Sequence, residues 1–116
     1  MLLISNGKTV ASKTEVARSF LAKSRGLMFR RSIPEDYALL FVFNKPEKVS
    51  LHMVFVPFPI DVLLLDKDMK ILDTRRLKEW VGLLNSGFKV SYVVELPAGT
   101  VNRCNLRKGQ QISLVE

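Results

Sequence analysis

The chain's sole histidine, His52, lies in a stretch running from Val49 to Asp66, and Asp61 follows it amid apolar residues. A neutral imidazole can act as a base, and its cation can hold an anion; the plainer reading is a partly buried histidine on the second face of a strand, hydrogen-bonded to backbone. A carboxylate set beside an apolar run needs a partner, because an unpaired buried charge costs several kcal/mol. Asp61 therefore either caps the adjacent corner by accepting backbone N–H groups or faces a cleft and pairs with a cation, for which Arg25 is the candidate. Glu95 closes the run Tyr92–Leu96. It is either an exposed or salt-bridged strand end or, with Asp61, half of a two-carboxylate site for a metal or for acid–base work. Arg25 offers a bidentate clamp for a carboxylate or phosphate, or a cation at the negative end of a helix. Trp80, between Glu79 and Gly82, is a lid over a pocket or a surface aromatic covering one end of the domain.

Nucleophilic and metal chemistry find less support. No serine, cysteine or second histidine stands at a triad spacing from His52. Cys104 has no other cysteine to pair with, and one Cys with one His makes no ordinary zinc site. Arg103 would favour a thiolate at Cys104, yet no base adjoins it, so a buried inert thiol is expected. No metal or cofactor is expected.

The elements that must position these residues read mainly as strands. Val49, Leu51, Met53 and Phe55 alternate with Ser50, His52 and Val54, the period of a strand with one buried face. This predicts Leu51, Met53 and Phe55 inward, with Ser50 and His52 outward. Val56-Pro57-Phe58-Pro59 cannot continue a central ladder, since proline lacks an N–H. Val62–Leu65 is a continuous apolar run between Asp61 and Asp66, as in a strand buried on both faces. Asp66–Lys70 is the loop of a hairpin into Ile71–Lys78.

Elsewhere, Asn6-Gly7 favours a tight hairpin between Leu2–Ile4 and Lys8–Ala11. Ser12-Lys13-Thr14-Glu15 follows the capping-box pattern, and Val16, Ala17, Phe20 and Leu21 recur at helical spacing before Gly26. The expectation is a helix over about 13–25. Ala38–Phe43, Val90–Leu96 and Gln111–Val115 read as further strands. Glu79–Gly87 is a loop or short helical piece, and Val101–Leu106 is ambiguous. Together these predict a mainly β domain: a compact antiparallel β-sandwich or curled open barrel with one α-helix in its N-terminal half.

At 116 residues, 47% of them hydrophobic, the chain can bury a core as one domain spanning 1–116. The net charge of +7 is concentrated. Residues 1–31 hold Lys8, Lys13, Arg18, Lys23, Arg25, Arg30 and Arg31 against Glu15 alone. Such a segment serves solubility or meets a polyanion; Arg30-Arg31 and Arg75-Arg76 are most simply solvated charge. No apolar run approaches the roughly 20 residues of a membrane span, and Leu2-Leu3-Ile4 is too short for a secretory signal. A cytoplasmic address without membrane partners is expected.

Five motifs occur in order: Arg25-Gly26-Leu27-Met28, Leu40-Phe41-Val42-Phe43, His52-Met53, Pro59-Ile60-Asp61-Val62-Leu63 and Glu95-Leu96-Pro97-Ala98-Gly99. This ordered set resembles a family of small microbial domains, domain-of-unknown-function family 192 (DUF192, also UPF0127), from about Val10 to Val115. The resemblance implies a compact β-sandwich-like domain with one or two helical pieces and no established activity. Many members have an aromatic before the methionine and an Asn-Thr pair shortly after it. Here His52 precedes Met53, and Phe55-Val56 stands near the Asn-Thr position, which implies a more apolar pocket.

Three functions fit these residues. The leading one is a module binding a small or peptide-like ligand near the Pro57–Asp61 corner. A second is a hydrolase using His52 with Asp61 or Glu95. A third is nucleic-acid association through residues 1–31, disfavoured because Phe20 and Phe29 read as buried.

Overall fold

The computed structural model describes residues 1–18 and 26–116. A five-stranded sheet divides the molecule, with strands in the order β3 (Lys13–Ala17), β4 (Tyr37–Glu47), β9 (Val90–Pro97), β6 (Ile60–Leu65) and β7 (Ile71–Leu77). Its neighbours pair antiparallel except β3 and β4, which run parallel. A three-stranded sheet joins β10 (Ser113–Val115), β1 (Leu2–Ser5) and β2 (Lys8–Ala11). A small third sheet joins β5 (Ser50–His52) to β8 (Leu83–Asn85). The sheets stay open and do not close into a barrel.

Alternation along the central strands creates two apolar layers, one on each face. Val62, Leu64, Val93 and Phe41 face the layer completed by Val49, Met53 and Leu84 around the small sheet. Leu63, Leu65, Val94 and Leu40 face the layer completed by Leu3 and Val10 of the three-stranded sheet. Strand β6 is buried along its whole length, as its unbroken apolar run requires.

The Asn6-Gly7 hairpin forms as expected, with φ of 52° and 74° at its two turn residues. The expected helix does not form over its described part. Residues Lys13–Ala17 are a strand, and the remainder of the 13–25 prediction, Arg25 included, lies outside the described residues. Ser12 caps no helix; its hydroxyl donates to Asp36 Oδ2 at 2.6 Å. The Ser12 and Lys13 N–H groups donate to the Asp36 carbonyl at 2.9 and 3.0 Å. Glu15 pairs with Arg30 rather than with a helix start. Thr14 and Val16 are β-branched and suit a strand beside β4, so tertiary pairing overrides a local capping signal. The one helix among the described residues is α1 (Thr100–Arg103), in the segment that sequence left ambiguous. Leu83–Asn85 of the expected loop is strand β8.

Asp61 ties three of these elements together. Its side chain is 2% exposed and turned toward the α1 side of the sheet. Oδ2 accepts from the Gly99 and Val101 N–H groups at 3.0 and 2.9 Å, and Oδ1 accepts from Arg76 Nε at 3.0 Å. A strand residue thus supplies the cap that α1 lacks from its own N-cap, Gly99. Removing the carboxylate strands two backbone donors, each worth about 1–3 kcal/mol when unsatisfied. Asp61→Ala should therefore lower unfolding free energy by about 3 kcal/mol. Arg76→Ala, at a half-exposed guanidinium, should cost under about 1 kcal/mol. Urea unfolding measures both, and equal losses would mean that the ion pair, not the backbone bonds, holds the corner.

Candidate functional site

A half-open hollow of about 260 Å³ lies on the face of the central sheet opposite α1. Its walls include Leu27 and Met28 from the segment before β4, and Met53, Val56 and Ile60 around the proline corner. Val56 and Ile60 bracket Pro57-Phe58-Pro59, so the bend does stand beside a cavity. Ser50, His52 and Glu95 supply polar groups to a lining that is otherwise largely apolar. The Ser50 hydroxyl is bonded to Asn85 Oδ1 at 2.5 Å.

The residues singled out by sequence divide between the two faces. The β6–β9 register opposes Asp61 to Leu96 and Val62 to Glu95. Neighbouring residues of a strand point to opposite faces, so Asp61 turns toward α1 while Glu95 turns into the hollow. The two carboxylates do not converge, and His52 and Asp61 share no cavity. Asp61 is committed to the α1 corner. His52 and Glu95 line one hollow. Trp80 lies on the loop 78–82, outside the lining, and is 52% exposed. Arg25 lies outside the described residues.

His52 ends β5, and its Nδ1 accepts the Val54 N–H at 3.2 Å. In a neutral ring, that bond leaves Nε2 as the N–H donor. Glu95 is 7% exposed, and its Oε1 has no hydrogen-bond partner among the described residues. Burial pushes its carboxyl up to about 7, with the Arg30 guanidinium pulling the other way. Tyr37, on the same face of β4 as Leu39, which opposes Glu95, also buries its hydroxyl, with the Arg30 and Glu15 side chains beside it. Burial raises that phenol to about 12. Arg30 covers the Tyr37 ring with its guanidinium 5.2 Å from the centroid and reaches Glu15 at 3.4 Å. A buried carboxyl oxygen without a bonding partner is rare in native structures, and strand pattern alone carries no signal of it.

The loops framing the hollow depart from the sequence expectation. Phe55 was predicted inward as part of a longer strand, and Phe29 was predicted buried. Strand β5 stops at His52, and Phe55 is 45% and Phe29 65% exposed. Phe29, Phe55 and Trp80 have φ of 68°, 62° and 64°. This left-handed conformation costs a bulky L-residue about 1 kcal/mol or more. Asn adopts it more readily, which fits the Asn-Thr pair that the family resemblance places near Phe55-Val56.

Backbone hydrogen bonds hold the three loops in place. The Phe29 N–H donates to the Phe55 carbonyl at 2.9 Å, and the Trp80 N–H to the Val56 carbonyl at 3.1 Å. The Met53 N–H donates to the Gly82 carbonyl at 3.0 Å. A Cβ at Gly82 would stand 2.7 Å from the Lys78 carbonyl oxygen and 2.9 Å from Met53 Cγ. Glycine is needed there for the loop to lie this close.

The fold and the hollow define a small, mainly β domain with one buried acid in a cavity that apolar side chains and polar groups line together. The sequence profile of DUF192, a family described as "Uncharacterized ACR", matches residues 1–114. The chain belongs to that family. A UPF0127 protein of Thermococcus sibiricus is 29% identical over 93% of this chain and 70% of its own length. One from Pyrococcus furiosus is 28% identical over 97% and 95%. Among solved structures, a putative transcription regulator from Sinorhizobium meliloti superposes with a TM-score of 0.83 at 29% identity, covering 97% of this chain and 89% of that one. A protein of unknown function from Novosphingobium aromaticivorans gives 0.80 at 20% identity, covering 87% and 74%, and shows the fold alone. Among the described residues no group of three His, Cys, Asp or Glu is placed to hold a metal ion.

The raised Glu95 carboxyl makes stability depend on pH. Below about 4.5 the group is protonated in both folded and unfolded chains, and no penalty applies. As pH rises from 4.5 toward 7 the unfolded chain ionises first, so the folded state loses stability. The loss is complete above about 7 and amounts to roughly 3 kcal/mol. Glu95→Gln should match the wild type near pH 4.5 and exceed it at pH 8. Urea midpoints across that window check this, and parallel curves would show that Glu95 ionises normally in the folded protein.

Proposed function

We propose that the chain is a binding module whose site is the hollow beside the proline corner. The observation supporting this reading is Glu95, a buried carboxyl lining the cavity with its Oε1 unbonded among the described residues. A ligand carrying a hydrogen-bonding group would supply the missing bond, worth about 1.5–3 kcal/mol when the protein partner is charged. The lining sets the rest of the ligand. Leu27, Met28, Met53, Val56 and Ile60 call for an apolar body, and about 260 Å³ holds one the size of a large side chain. His52, in the same lining, offers a second polar contact. A peptide-like molecule, an aliphatic or aromatic side chain with an amide attached, meets all three requirements. Near neutral pH the carboxyl serves N–H donors when ionised and C=O acceptors when protonated.

A second reading has one observation in its favour. A carboxyl poised at about 7 in the same hollow as an imidazole suits general acid–base work. In this form the hydrolase hypothesis retains Glu95 as partner for His52 and loses Asp61.

N-acetyl amino-acid amides test the binding reading. The leucine, methionine and phenylalanine members should saturably shift the NMR signals of the Glu95 carboxyl and the His52 ring. Glu95→Ala should weaken that binding roughly tenfold or more. Shifts that never saturate, or an unchanged affinity in the variant, would remove the hollow from the function. Steady production of acetate or free amide by the wild type but not by Glu95→Gln would favour the enzyme reading instead.

A further inference from the structure

The loops around the hollow carry an apolar surface that the binding reading does not use. Phe29 and Phe55 stack with centroids 4.8 Å apart and planes 23° from parallel. Trp80 meets Phe55 edge-on at 6.2 Å. Around them Val54, Val81 and Leu83 are 44%, 69% and 78% exposed. All three aromatics sit at positive φ, each on a different loop. Hydrogen bonds link these loops, so the rings are held outward by the backbone. Surfaces of this kind mark interaction sites.

We propose that this face docks on an anionic lipid surface. The three rings and the aliphatic side chains enter the interfacial layer, while Arg31 and Lys78 meet the headgroups. Charge selects the partner. Arg31 lies two positions after Phe29 and Lys78 two before Trp80, Glu79 is the one acid beside the rings in sequence, and the chain carries +7. The opposing surface is therefore anionic as well as apolar, and a bilayer with acidic lipids combines the two. Aromatic rings, tryptophan above all, favour the boundary between headgroups and acyl chains. No helix among the described residues is long and apolar enough to cross a membrane. The contact envisaged is with the surface only.

The same observations disfavour single-stranded nucleic acid, which would stack its bases on free ring faces. Phe29 and Phe55 each turn one face toward the other, and Val81 and Leu83 offer none.

Trp80 is the only tryptophan, so its fluorescence reports on this face alone. The full chain is mixed with phosphatidylcholine vesicles with and without phosphatidylglycerol, and followed by emission and co-sedimentation. Phosphatidylglycerol vesicles should shift Trp80 emission to shorter wavelength and carry the protein down. Val81→Asp and Leu83→Asp alter exposed side chains, so both should stay folded by circular dichroism. Each should weaken vesicle binding roughly tenfold or more, the contribution of one buried aliphatic side chain. Arg31→Glu should weaken it as well and flatten its salt dependence.

Four results would overturn the proposal. One is no emission shift with either vesicle. Another is sedimentation that Val81→Asp and Leu83→Asp leave unchanged, which is adsorption by charge alone. A third is a Trp80 response to oligo-dT but not to vesicles. The last is a dimer by analytical ultracentrifugation that Leu83→Asp dissociates.

Discussion

The register of β6 on β9 is the constraint from which the two faces of this protein follow. Asp61 opposes Leu96, and Val62 opposes Glu95. Because strand side chains alternate, this pairing sends one carboxylate to each side of the sheet. A slip of one residue would exchange every side chain of β6 between the two apolar layers. The strand is buried from Ile60 to Leu65, so such a slip would also misplace its packed side chains. The separation of the acids is therefore as fixed as the core. One acid is fully bonded, to two backbone N–H groups and a guanidinium. The other meets a cavity and leaves an oxygen without a partner among the described residues.

That difference between chemically similar groups separates scaffold from site. The face bearing Asp61 is closed by the three-stranded sheet, and α1 is capped there by the carboxylate. It carries departures of its own at Thr14, whose buried Oγ1 has no partner among the described residues, and at Met69, with φ of 61°. The face bearing Glu95 joins a buried carboxyl oxygen without a partner among the described residues to a cavity, framed by loops that hold three aromatic residues at positive φ. That conjunction of an unbonded acid with a cavity, more than strain by itself, distinguishes the site.

The strands were largely legible because period and burial are direct consequences of sheet geometry. Val62–Leu65 had to be two-sided, Val90–Leu96 had to be a strand, and Asn6-Gly7 had to turn. The segment after Ser12 misleads for a physical reason. A Ser followed three residues later by Glu satisfies a helix start, but the same two side chains find partners in Asp36 and Arg30 once β3 lies against β4. Sequence spacing records which bonds are available, not which partners arrive from distant segments. Phe29 and Phe55 mislead similarly. Hydrophobicity placed them inside, whereas backbone conformation, which composition does not encode for a phenylalanine, places them outside. His52 and Glu95 were legible as candidates and Asp61 as a residue needing partners. Whether any two would meet depended on strand pairing, which one sequence did not determine.

The hollow and the aromatic face belong to the same construction. Met53 and Val56 close one wall of the cavity, and Phe55 between them turns outward. Leu27 and Met28 close another, and Phe29 turns outward beside them. A positive φ at the loop tip reverses the chain sharply, so residues before it pack inward while the tip residue projects. At residues 53–56 the reversal is also what lets the Val56 N–H bond the Met53 carbonyl at 2.9 Å. Relaxing Phe55 or Phe29 to an ordinary conformation would withdraw the ring and would also shift the adjoining cavity wall. The strain at the surface and the shape of the cavity are therefore two results of the same backbone turns, and a substitution that relieves one alters the other.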